Sequence, residues 1–148
     1  CYSLNQPAAV RYPRGEAWSQ PCVSGSLKTV EVGKGILRRH GEKIALVAFG
    51  SMVQAAWSVA DMLNATLADM RFVKPLDEDL LGENAAQGGA GSAVLEALAA
   101  RGTHIPVLLC GIPDIVTGHG DTARLLDDLG LSAMALAQRV HDWLAKLA

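Results

Sequence analysis

Arg11-Tyr12-Pro13-Arg14-Gly15 is the stretch whose residue types and spacing best suit ligand chemistry. It closes a short β-prone run, Ala8 to Tyr12, and so falls at a strand end, where open α/β sheets place ligands. Pro13 stiffens the turn and aims Arg14, whose planar guanidinium fork matches a phosphate or carboxylate. On the residues alone, a solvated arginine or a surface salt bridge explains the same motif. A second candidate is Gly88-Gly89-Ala90-Gly91-Ser92 at a helix start, where backbone N–H groups and the positive dipole end hold anions. The dinucleotide fingerprint fails there: Val94 stands where its third glycine belongs, and Glu83 to Gln87 is no strand. Close packing of the helix on a neighbouring backbone uses the same glycines.

His119 precedes a capped helix, but no nucleophile or carboxylate partner is evident for it, and His40, His104 and His141 lack ligand spacing. A structural or solvated role fits these histidines. Asp77, Glu78 and Asp79 fan around a helix axis and read as a solvated helix start rather than a cation site. Cys1, Cys22 and Cys110 are odd in number and without a CxxC pair, so neither a disulfide framework nor a zinc knuckle is expected. Cys110 ends an apolar run and reads as a small buried hydrophobe. A reducing, cytoplasmic setting fits these cysteines.

These candidates need a scaffold. With half its residues hydrophobic and a net charge of -2, the chain has material for one packed domain, and its scattered basic residues give no nucleic-acid footprint. Its apolar runs, Ile44 to Phe49 and Ile105 to Cys110, are far short of the roughly 20 residues of a membrane span. The opening residues show no basic head before an apolar stretch, so no signal peptide is expected in them. Val30 to Arg39 and Lys43 to Phe49 read as two strands joined into a hairpin at Gly41. Ser51 is placed to cap a helix whose apolar face is Val53, Ala56, Trp57, Ala60 and Leu63. A strand over Ala65 to Phe72, a short helix over Leu76 to Leu81, a helix closing at Gly102 and a strand over Ile105 to Cys110 follow. Asp121 and Ser132 cap the last two helices, the final one carrying Ala137, Val140 and Leu144 on one face. Strands alternating with helices predict an α/β domain with a mostly parallel sheet covered on both faces.

Read in order, RYPRG, VGKGILRRHGEKIALVAFGS, LNATLADMRFVKPLDEDLL, ENAAQGGAGSAVLEALAARG and GIPDIVTGHGDTARLLDDLGL resemble the carboxy-terminal part of 1-deoxy-D-xylulose-5-phosphate synthases. RFVKPLD with GGAGS is shared with the wider transketolase-like superfamily. RYPRG, VGKGI and GIPD followed by HG are narrower. The resemblance implies a transketolase C-terminal-domain-like three-layer sandwich, preceded by the last strand of a pyrimidine-binding domain. Residues 1–15 would end that domain, 16–28 form a linker, and 29–148 make the C-terminal domain. The implied enzyme condenses pyruvate with D-glyceraldehyde 3-phosphate on thiamine diphosphate and Mg2+, and its product feeds isoprenoid, thiamine and pyridoxal biosynthesis. Similar enzymes are homodimers. The cofactor's binding residues lie outside these 148 residues, so this stretch alone should be inactive, and Arg14 is the one active-site residue carried across, as the grip on the acceptor's phosphate; Arg11 has the weaker claim. The sequence departs from the family at Leu81-Gly82-Glu83, where about a dozen residues, enough for a turn and a strand, are missing between 81 and 83. Alternatives are the C-terminal domain of another transketolase-like enzyme, or a stand-alone dimerisation or regulatory module.

Overall fold

The computed structural model of the chain describes residues 5, 7, 29–83, 91–113 and 118–147. Arg11, Arg14, the strand expected over Ala8 to Tyr12 and the linker lie outside the described residues. So do Gly88, Gly89 and Ala90.

The elements run β1 (Ile36–Arg39), β2 (Ala45–Ala48), α1 (Met52–Leu63), β3 (Thr66–Asp69), α2 (Glu78–Glu83), α3 (Gly91–Ala100), α4 (Thr122–Asp128) and α5 (Ala133–Ala145). β3 is the middle strand, antiparallel to β1 and parallel to β2. The expected hairpin of β1 and β2 therefore does not form. Gly41 shows why: any Cβ there would collide with the backbone of Asn64, Ala65 and Thr66, and its N–H donates to Thr66 Oγ1 at 2.9 Å. The turn at Gly41 thus packs on the entry to β3, and β3 slots between the two strands. The described sheet is mixed, with one parallel and one antiparallel pair, rather than mostly parallel.

Alternation along the strands sends side chains into two cores. Leu46, Ala48 and Leu67 join Val53, Val59 and Ala60 of α1 and Leu136 of α5. Val47 and Ala68 join Met70, Leu81 of α2 and Val94, Ala97 and Leu98 of α3. Helices thus cover both faces of the sheet, the expected three-layer α/β arrangement. Each fully buried aliphatic side chain stabilises it by about 1.5 to 3 kcal/mol.

The helix ends follow local chemistry. Asp121 Oδ1 accepts from the N–H groups of Ala123 and Arg124 at 3.0 and 3.1 Å, and Ser132 Oγ accepts from Ala135 at 3.4 Å, so both expected caps form. Ser51 is the exception: it occupies the N-cap of α1 in helical backbone conformation, and its hydroxyl makes no cap bond. Asn64 ends α1 in the left-handed region at φ 48°, a conformation its short amide side chain tolerates.

Two further differences concern the right-hand side of the sheet. Ile105 to Cys110 forms no strand, and β2 is the last strand of the described sheet on its side. Leu81 and Gly82 are consecutive residues of α2, so the length deficit expected there is not a break in the backbone.

Candidate functional site

The stretches that carry the family resemblance are joints of this fold. Gly35, from VGKGI, sits where a Cβ would lie 2.6 Å from Leu80 Cδ2 and 3.0 Å from the Asp69 carbonyl, so any side chain there would make Leu80 and the β3 backbone give way. Its N–H donates to Asp77 Oδ2 at 3.0 Å, and Asp77 Oδ1 accepts from Leu80 N–H at 3.2 Å, capping α2. VGKGI and KPLD therefore meet through one carboxylate.

Asp77 is 6% exposed, which corrects its reading as part of a solvated helix start. Burial alone would push its carboxyl pKa up. The N–H donors of Gly35 and Leu80, with Lys34 Nζ 3.7 Å away, outweigh that and hold it below the ordinary aspartate value. Lys34 also reaches Asp79 at 3.6 Å, and Arg101 lies 3.8 Å from Glu78 and 3.5 Å from Asp79. The acidic start of α2 is thus matched by two cations of the chain itself. An Asp before an acidic first turn is the sequence signal of an N-cap, and that signal was there to be read at Asp77.

Arg38 and Arg39 of β1 are similarly engaged. Arg38 donates from Nε and Nη2 to Asp69 Oδ2 at 3.2 and 2.8 Å. Arg39 donates to Asp61, to Asn64 Oδ1 and to the Ala65 carbonyl, tying β1 to the end of α1 and the start of β3. His40, His104, His119 and His141 are exposed, and among the described residues no three His, Cys, Asp or Glu side chains gather as metal ligands. Gly91 opens α3 in contact with the Leu109 side chain, not with a neighbouring backbone, and Gly88, Gly89 and Ala90 of the cluster lie outside the described residues. No described helix is long and apolar enough to cross a membrane.

A feature the sequence did not announce is an apolar cavity of about 60 Å³ beside β2, lined by Leu46, Ala48, Met52, Val59, Cys110 and Val140 among others. Cys110 is half-buried in its wall, and burial pushes the thiol pKa up against the opposing charge of Arg139. That environment suits a packing residue more than a nucleophile.

A mixed sheet between two helical layers, with polar joints at VGKGI and KPLD, defines a layered α/β domain. The chain matches the family described as transketolase, C-terminal domain, over residues 33–136, and belongs to that family. Among its relatives, the 1-deoxy-D-xylulose-5-phosphate synthase of Neisseria meningitidis serogroup A / serotype 4A is 60% identical, over 98% of this chain and 25% of the relative. The synthase of Bordetella avium is 48% identical over 99% of this chain and 26% of its own length. The chain thus spans about a quarter of the length of the curated relatives it matches. The alignment to the Neisseria relative is 158 positions long and this chain has 148 residues, so ten or more positions of the relative have no counterpart here. A solved split-gene transketolase, described as an inactive β4 tetramer, superimposes with a TM-score of 0.69 at 31% identity, covering 76% of this chain and 43% of that one.

Proposed function

We propose that this chain is the C-terminal part of a 1-deoxy-D-xylulose-5-phosphate synthase. The whole enzyme condenses pyruvate with D-glyceraldehyde 3-phosphate, with loss of CO2, in a cytoplasmic homodimer. The observation that carries the reading is the 60% identity to the Neisseria synthase across 98% of the chain. Transketolase itself is the weaker reading, since the solved split transketolase is only 31% identical.

Within that reading, thiamine diphosphate and its Mg2+ are held by residues of the other domains and supply the carbanion chemistry when bound. The acidic side chains of α2 are taken by Lys34 and Arg101, which fits a division of labour in which this domain positions its neighbours. Arg14 is assigned the acceptor's phosphate, which its fork would fix by charge-assisted hydrogen bonds. The isolated chain is expected to be inactive, and the description of the split-transketolase neighbour as an inactive β4 assembly supports that expectation by analogy.

The test replaces the last quarter of the Neisseria synthase with this chain. The chimera should form product, whereas the purified chain alone should neither turn over nor bind thiamine diphosphate in a calorimeter. Arg14→Ala in the chimera should lower kcat/KM for D-glyceraldehyde 3-phosphate by about 10- to 150-fold, the worth of one charge-assisted bond. Unphosphorylated glyceraldehyde should barely respond. Equal losses for both acceptors would remove the phosphate assignment, and turnover by the isolated chain would remove the fragment reading.

A further inference from the structure

We draw no further inference here: the strongest candidate, the apolar cavity walled by β2, α1, α5 and Cys110, carries none because nothing in the structure shows what covers it.

Discussion

The two outer edges of the sheet are built differently. β1 carries Arg38 and Arg39 and has a register shift between Leu37 and Arg39. Charge and a bulge are how exposed edges are kept from pairing with other chains. β2 is Ala-Leu-Val-Ala, uncharged, in unbroken register with β3, and almost wholly buried. β1 is thus a strand made to be an edge, and β2 has the composition of an interior strand. Their fastening differs too: arginine side chains hold β1, whereas two apolar cores hold β2.

The sharpest way to break this comparison is to place the same charge on each strand. Val47→Lys puts an ammonium in a site 1% exposed, and should cost about 3 to 5 kcal/mol or prevent folding. Leu37→Lys, on half-buried β1, should cost about 1 kcal/mol or less because its long side chain reaches water. Urea unfolding of both variants decides it. Equal costs would mean that β2 is no more interior than β1.

A middle-sized effect belongs to Asp77, which secures the entry to β1 through Gly35. Asp77→Asn keeps the shape and loses the charge, and should cost about 1.5 to 3 kcal/mol near neutral pH. The folded carboxyl has a depressed pKa, so the unfolded state binds the proton more tightly. The contribution is therefore complete above the unfolded value of about 3.9 and is lost as pH falls through the lower, folded value. The gap between the parent and Asp77→Asn in urea midpoints should stay level from about pH 7 to 5 and narrow below about pH 4. A gap that widened in acid would mean that the carboxyl is favoured protonated in the fold.

Helix content, both polar N-caps at Asp121 and Ser132, and the apolar face of α1 were legible because they are local: spacing and cap chemistry decide them within a turn or two. The hairpin was not, because its decisive contact joins Gly41 to Ala65 and Thr66, which no local pattern encodes. Asp77 was misread for a related reason. Its burial depends on Gly35, 42 residues away, and an acidic run looks solvated until that partner is known. Ile105 to Cys110 has the composition of a strand, and composition was sufficient to predict one, but a strand is decided by pairing between segments far apart in sequence, which composition does not encode. The candidate site rests on resemblance alone, since Arg14 lies outside the described residues.

The smallest expected effect concerns Arg39 and asks what kind of fastening holds β1. Its Nε lies 3.1 Å from Asp61 Oδ1, which counted alone is a surface ion pair, and such pairs are screened by salt. The same guanidinium also donates to three neutral acceptors, the carbonyls of His40 at 3.2 Å and Ala65 at 2.8 Å and Asn64 Oδ1 at 3.1 Å. Those bonds need the planar fork more than the charge. Arg39→Lys keeps the charge and cannot span the same acceptors, so it should cost about 0.5 to 1 kcal/mol. The cost should persist in roughly 1 M salt, where the Debye length is only about 3 Å and an exposed ion pair is worth little. Urea titrations of parent and variant at low and high salt measure it. If high salt erases the difference, charge attraction to Asp61 fastens β1. If the difference survives, Arg39 is a hydrogen-bonded clasp joining β1 to the end of α1 and the start of β3.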